Sequence, residues 1–345
     1  MIGMVAIVTV IGLVCLMVDA GCRVFGSYSR TMPGAVVRIT GLVLMGLLFL
    51  CPYLLLLLFQ DTSLKSFFLF LCMIESCLTV VLYLYPPRCG IHPFVQQDSP
   101  ADSVDRNLTP GIELRHEYCR IPHLKQPVQA LVVSDLHCNN SGGLEQFSAA
   151  CSALDCEYDF VFILGDLTER NDLIPSILKV FAGVKNRYGI FLVRGNHDDE
   201  AGRSEIIEVH AKNYAITVLS NDAVYIPSLE LTLLGLETPW REDRLSLKIQ
   251  GVCIALSHTP DNIKIASRHA ASLVLAGHTH GGKVRLPGAG SLLVPSRYGR
   301  FLDRGWFRFK DTCMLITSGI GYFPGRFGQN GQIVHLTIST YTDRT

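Results

Sequence analysis

The chain has 345 residues and balances 30 basic against 30 acidic side chains, so its net charge points neither to nucleic acid nor to an acidic surface as partner. Its hydrophobic fraction of 49% is high for a water-soluble protein, and the excess lies before Tyr85. Twelve cysteines stand singly with no Cys-x-x-Cys, which argues against a thiolate metal cluster and predicts reduced thiols rather than a disulfide framework.

Ile2 to Val18 is a charge-free apolar run closed by Asp19, and at about 1.5 Å per residue it comes near the thickness of a hydrocarbon core. No basic residue precedes it, so a membrane helix is predicted over a secretory signal. Ile39 to Phe59 and Ser66 to Tyr85 are similar runs. The last carries Glu75, whose ionised form would cost about 2.5 to 3.5 kcal/mol at a helix centre, so it is expected to face a neighbouring helix or to be protonated. An all-α transmembrane anchor is therefore predicted over 1–85. Arg23, Arg30 and Arg38 in the first loop against Lys65 in the second predict a cytoplasmic first loop. An odd number of crossings returns the chain to the cytoplasm, giving a multi-pass protein of the inner membrane with a cytoplasmic catalytic domain.

Residues 86–127 are proline-rich and weakly periodic, and read as a linker with an edge segment over Ile112 to Arg120. A catalytic domain is predicted over 128–345. There, apolar runs of strand length (Ala130 to Val133, Phe160 to Leu164, Ile190 to Val193, Cys253 to Leu256, Ser272 to Ala276) alternate with amphipathic stretches such as Leu173 to Val184 and Glu200 to Lys212. Runs apolar on both faces suit strands buried within a layered α/β domain. Ligand sites in such folds lie at the carboxyl ends of the strands, so the polar residues after each run should converge.

Those residues are Asp135-Leu136-His137, Gly165-Asp166, Gly195-Asn196-His197-Asp198, His258, and Gly277-His278-Thr279-His280. In an extended segment residues i and i+2 share a face, so His278 and His280 can point at one metal-sized site. Carboxylates, an amide and imidazoles together suffice for paired divalent cations with mixed nitrogen and oxygen ligands, and a carboxylate such as Asp166 can bridge them.

The ordered set resembles the calcineurin-like metallophosphoesterases, whose motifs run Asp-x-His, Gly-Asp, Gly-Asn-His-(Asp/Glu), His and Gly-His-x-His; here they span Asp135 to His280. The run Gly281 to Pro287 and the Gly-rich segment Ser318 to Arg326 look like the membrane-associated bacterial branch of that family. The resemblance implies a four-layer α/β/β/α domain, a β-sandwich flanked by helices. It implies Asp135, His137, Asp166 and His280 on one metal and Asp166, Asn196, His258 and His278 on the other, with manganese, iron or zinc as the expected ions. His197 would stand with Asn196 at the scissile phosphate as proton donor or charge stabiliser, and Glu169 would orient His197. The implied reaction is in-line attack of a hydroxide held between the metals. Some family members cleave the pyrophosphate of UDP-2,3-diacylglucosamine, so a phosphorylated small molecule or a lipid-linked substrate is the expected partner. A sensor or scaffold that binds a phosphorylated ligand without turnover is the alternative.

Ser134 and Cys138 read as packing residues. Arg194 has either a substrate phosphate or a carboxylate on the sheet as its candidate partner, and Tyr298, Arg300 and Arg304 are candidates to cap the site or touch a head group. Gly281 and Gly282 are expected to let the chain turn without crowding a phosphate. Gln329-Asn330-Gly331-Gln332 departs from the Pro-Pro-Glu of the bacterial branch, which puts loop geometry in doubt rather than catalysis.

Overall fold

A computed structural model describes residues 89–94, 106–237, 247–282, 284–286, 290–321 and 330–340. The predicted anchor over 1–85 lies outside them, and among the described residues no helix is long and apolar enough to cross a membrane.

In chain order the strands of the first half are β1 (Ile91–Pro93), β2 (Arg106–Thr109), β3 (Ile112–Arg120), β4 (Val128–Val133), β5 (Phe160–Ile163), β6 (Ile190–Leu192), β7 (Ile216–Val218) and β8 (Ala223–Ile226). The second half adds β9 (Leu231–Leu236), β10 (Val252–Ser257), β11 (Leu273–Ala276), β12 (Val284–Leu286), β13 (Gly290–Leu293), β14 (Gly305–Phe309), β15 (Thr312–Ile316) and β16 (Gly331–Ser339). The helices are α1 (Ser141–Ser152), α2 (Ile174–Ala182), α3 (Arg203–Asn213) and α4 (Ile263–Arg268).

These strands make two seven-stranded sheets, ordered β2-β3-β16-β4-β5-β6-β7 and β1-β14-β15-β11-β10-β9-β8, with β12 and β13 as a separate hairpin. Side chains alternate across each strand and so sort into layers. Ala130, Val132, Phe160 and Phe162 from one sheet meet Leu233, Ile254, Leu256, Leu273 and Leu275 from the other in a single inner core. The intervening Leu131, Val133, Val161 and Ile163 face outward onto α1, α2 and α3, where Phe147, Ile177, Phe181 and Ile207 close a second core. On the far sheet Cys253, Ala255, Val274 and Ala276 pack outward with Ile263 and Ala266 of α4. The result is an α/β/β/α sandwich, and each fully apolar run is explained by burial on both faces.

Helix α2 carries its apolar residues at Ile174, Ile177, Leu178 and Phe181, the i, i+3, i+4, i+7 spacing of one buried stripe, with a proline in its first turn. Helix α1 starts at Asn140, whose side chain accepts the Gly143 N–H at 2.8 Å.

The proline-rich stretch contributes more structure than its composition suggests. β1 pairs with β14, and the predicted edge segment, β3, is an inner strand with β2 on one side and β16 on the other. β16 runs parallel to β3 and antiparallel to β4, so the end of the chain closes the sheet that its middle began. All seven described cysteines are free thiols.

Parallel pairing of β4, β5 and β6, and of β10 and β11, brings the carboxyl ends of the strands together at one rim of the sandwich.

Candidate metal centre

Each strand end turns abruptly where its polar residue sits. Asp135, His137, Asp166, His278 and His280 all adopt left-handed backbone, with φ of 49°, 42°, 55°, 70° and 53°. Non-glycine residues rarely stay there, at about 1 to 3 kcal/mol each, unless the surroundings hold them. Such strain at neighbouring residues marks a site built for side-chain placement.

The surroundings that hold them are visible. Asp198, fully buried, accepts the Asp166 and Gly195 N–H groups on one oxygen at 2.6 and 3.0 Å and the Leu167 N–H on the other at 2.9 Å. It fastens the second strand end to the third. Burial and the nearby Asp166 carboxylate raise its own carboxyl to about 6. Glycines supply the close approaches: a Cβ at Gly195 would lie 2.1 Å from Asp166 Oδ1, and one at Gly277 would lie 1.8 Å from Ser134 Oγ.

Two groups of ligand atoms result, Asp135, His137 and His280 in one and Asp166, His258 and His278 in the other, each with its atoms within 4.8 Å of one another. The carboxylates divide their oxygens. Asp135 Oδ2 accepts from Ser134 Oγ at 2.5 Å and the His278 N–H at 2.9 Å, while Oδ1 has no hydrogen-bond partner among the described residues and lies 3.7 Å from His280 Nε2. Asp166 Oδ1 accepts the His197 N–H at 2.9 Å, and Oδ2 lies 3.6 Å from His137 Nε2 and 3.2 Å from His258 Nε2. Asp166 thus stands between the two groups, as a bridging carboxylate must.

The donor set fits cations. His258 Nδ1 faces the Leu164 carbonyl at 2.7 Å, and since a carbonyl only accepts, Nδ1 carries the proton. His258 Nε2 then points a lone pair at Asp166 and, at 3.0 Å, at His278 Nδ1. Among the described residues, His137 Nε2 and Asn196 Oδ1 are buried without a hydrogen-bond partner. Converging buried lone pairs are costly unless a cation lies among them. Burial disfavours a charged His258, but the Asp166 and Asp135 carboxylates overcome it and raise the imidazole to about 9. Burial and the charge of His258 push His278 down to about 3.

The structure brings Asp135, His137, Asp166, His258, His278 and His280 together at this rim with His197 beside His137, while Glu169 takes a different role from the one expected. Glu169, expected to orient His197, accepts from His137 Nδ1 at 2.6 Å, while His197 Nδ1 is 3.6 Å away. The hydrogen bond to His137 is the main reason its carboxyl falls to about 2. Asn139 binds its other oxygen, and Arg170 pairs with Asp172 rather than with Glu169. Glu169 therefore fixes the ring of a metal-facing histidine. Glu169→Gln is expected to weaken metal affinity by about 10- to 100-fold, measured by titrating metal into the stripped protein.

Other assignments resolve in the same way. Arg194 is buried, its guanidinium against Glu237 at 3.0 and 3.1 Å. Tyr298 is only 7% exposed and packs in the outer core with Ile91 and Phe307. Gly282 is required by its left-handed φ of 89° and by Ser291, whose Oγ would lie 2.1 Å from an added Cβ, rather than by clearance for a phosphate. Gln332, in the segment that departs from the bacterial pattern, accepts from Thr317, Ser318 N and Ser318 Oγ at 3.2 to 3.3 Å and so steadies the turn behind Asp135. Arg203 had no signal in the sequence, since its helix was read for its apolar face. Buried, it donates to the carbonyls of His197 at 2.7 Å and Glu169 at 3.2 Å and ties their loops together.

Residues 129–282 match the sequence profile of the calcineurin-like phosphoesterases. The uncharacterized metallophosphoesterase YkuE of Bacillus subtilis is 24% identical over 237 residues, covering 64% of this chain and 82% of that one. Phosphodiesterase YaeI of Escherichia coli is 25% identical over 225 residues, covering 61% and 82% respectively. A Danio rerio protein described as a transmembrane protein with metallophosphoesterase domain is 25% identical over 291 residues, covering 75% of this chain and 62% of its own length. With the motifs, the two ligand groups and these matches in agreement, residues 129–282 form a calcineurin-like phosphoesterase domain, and the chain is a metal-dependent phosphoesterase.

Proposed function

We propose that this phosphoesterase is held at a membrane by its N-terminal apolar segments, with the catalytic domain on the cytoplasmic side, and hydrolyses a phosphoester or pyrophosphate bond in a lipid-linked substrate such as UDP-2,3-diacylglucosamine. The long apolar runs before Tyr85 support the anchor, as does the similarity to the Danio rerio protein described as transmembrane. An anchor keeps the site near lipid and so favours a substrate that resides there.

The observation that carries the hydrolytic reading is Asp166 standing between two groups of inward-facing ligand atoms. Asp135, His137, Asp166 and His280 would hold one divalent cation, and Asp166, Asn196, His258 and His278 the other. Bound there, such cations polarise a phosphoryl group and lower the pKa of water. The protein's own groups do the rest. Glu169 and the Leu164 carbonyl fix the rings of His137 and His258. Asp198 holds the second and third strand ends together. His197 has its ring 5.1 Å from that of His137 and 38% of its side chain exposed, so it is placed to meet a substrate and pass a proton to the departing oxygen. A sensor that binds without turnover has no use for an exposed imidazole at this position.

The test is a panel of p-nitrophenyl phosphate, its bis ester and a UDP-linked lipid, assayed with the metal-loaded full-length protein. His197→Ala is expected to lower kcat by about 100- to 10,000-fold with metal content unchanged. Unaltered turnover would remove His197 from the mechanism, and preference for the water-soluble esters over the lipid would remove the proposed substrate class.

A further inference from the structure

The basic residues of this neutral chain are unevenly distributed. Between Asp261 and Asp311 there are nine Lys or Arg against three Asp, a local excess of six positive charges. The acids are partly used within the fold. Asp261 is buried and accepts from Ser296 Oγ at 2.6 Å and the Arg297 N–H at 3.0 Å, and its oxygen lies 3.6 Å from Arg297 Nε. Asp303 accepts from Ser291 Oγ at 2.7 Å and the Arg304 N–H at 2.8 Å. Asp311 is exposed beside Lys310.

Part of this excess gathers around one aromatic pair on the outer face of the sheet that carries β1. Lys264 Nζ lies 5.4 Å from the Tyr298 ring and 5.5 Å from the Phe309 ring, and Lys310 Nζ lies 5.7 Å from the Phe309 ring. Arg297 and Arg268 are exposed and close enough to the Tyr298 hydroxyl to act on its ionisation. Arg268 also serves as the cation closing the last turn of α4, and Arg297 lies beside Asp261. Lys264 lies one turn before Arg268 on α4, whereas Arg297 and Lys310 come from two other places in the chain, so the grouping is a property of the folded face.

The chain enters the domain at this same face. Cys89 and Ile91 pack with Tyr298 in the outer core, and Gly90 lies against the Phe309 ring. Cys89 follows the last apolar run, ending at Tyr85, by four positions, which an extended chain spans in about 14 Å. With a membrane segment ending at Tyr85, Lys264, Arg268, Arg297 and Lys310 lie at the side of the domain nearest the bilayer. A tether of at most about 14 Å lets this face approach the headgroups to within the Debye length of about 8 Å at physiological salt, where their field is felt.

We propose that this face, Lys264, Arg268, Arg297 and Lys310 around Tyr298 and Phe309, docks the domain on anionic lipid headgroups and so fixes its orientation to the membrane. The inference rests on the anchor reading but not on the reaction assigned to the domain. Docking here also connects to the metal rim, because Thr279, between the two histidines, donates to the Asp303 carbonyl in the segment that leads from Arg297 to β14.

Lysine acetylation footprinting of the full-length protein in nanodiscs tests this without turnover. Lys264 and Lys310 are expected to be labelled about threefold more slowly in discs with roughly one third anionic lipid than in zwitterionic discs, and the protection should vanish at about 0.5 M salt. Exposed Lys179 and Lys212, on the helices of the opposite layer, serve as unprotected references. The variant Lys264→Gln/Arg268→Gln/Lys310→Gln should turn over a water-soluble ester normally, and its remaining surface should show no lipid-dependent protection. Equal labelling in both lipids, or protection that survives salt, overturns the docking face. Release of the wild-type chain from zwitterionic vesicles in flotation overturns the anchor instead, so the two readings fail by different observations.

Discussion

Replacing Asp166 by Asn is expected to lower kcat by at least about 1,000-fold and to reduce bound metal, with little change in the fold. The amide keeps an oxygen to accept the His197 N–H, which Asp166 Oδ1 accepts at 2.9 Å. On the other side it would present N–H groups to His137 Nε2 and His258 Nε2, where Oδ2 now stands at 3.6 and 3.2 Å. A donor in that place repels a cation, and it does so for both groups at once because Asp166 lies between them. Metal content by elemental analysis, beside turnover of the bis ester, checks both halves of the expectation. Wild-type turnover in this variant would mean that Asp166 is not the shared ligand.

Arg194→Met is expected to cause the largest loss of stability among single substitutions in the domain, about 3 to 5 kcal/mol. Arg194 is 1% exposed and Glu237 is fully buried, paired through Nε and Nη2. Arg194 also reaches Glu208 at 2.8 Å and Ser220 at 2.6 Å, while the Glu237 N–H is held by Asn221. Taking away the guanidinium removes both of the hydrogen bonds it donates to the buried Glu237 carboxylate. The pair joins the residue before Gly195-Asn196-His197 to the end of β9 in the opposite sheet, so the lesion reaches the site as well. Urea unfolding of the metal-loaded protein reads the loss, and Arg194→Met/Glu237→Gln should recover part of it because the stranded charge is gone. A single variant as stable as wild type would show that the buried pair does not matter to folding.

Much of the site was legible because chemistry and burial leave separate marks in the chain. Strands covered on both faces need unbroken apolar runs, and Phe160 to Leu164 or Ser272 to Ala276 can be read as such without a structure. The polar residues that follow, Asp135, Asp166, Asn196, His258 and the pair His278 and His280, are costly at the end of a buried strand and so stand out. What pairing over distance decides was hidden. β16 enters between β3 and β4 from the other end of the chain, and no local pattern announces it. β1 to β3 were masked by prolines that fall between the strands or at their ends.

Side-chain direction was hidden for the same reason. Spacing placed Glu169 near Asp166 but could not say which imidazole it would face, and the fold gives it to His137. Arg194 and Glu237 are 43 positions apart, so nothing local told a buried pair from a phosphate contact. Asp198 was visible as a motif letter, whereas its hydrogen bonds from the Asp166 and Leu167 N–H groups exist only once the second and third strand ends are side by side.

The central claim is that two divalent cations, gathered by these strand ends, make the chain a phosphoesterase. Its most direct test is to strip the full-length protein of metal, restore manganese stepwise, and follow bound metal per chain together with hydrolysis of the bis ester. The account predicts no turnover in the stripped protein and activity that climbs until about two ions are bound. Full turnover by protein that holds no metal, or activity that is complete with a single ion per chain, would contradict it.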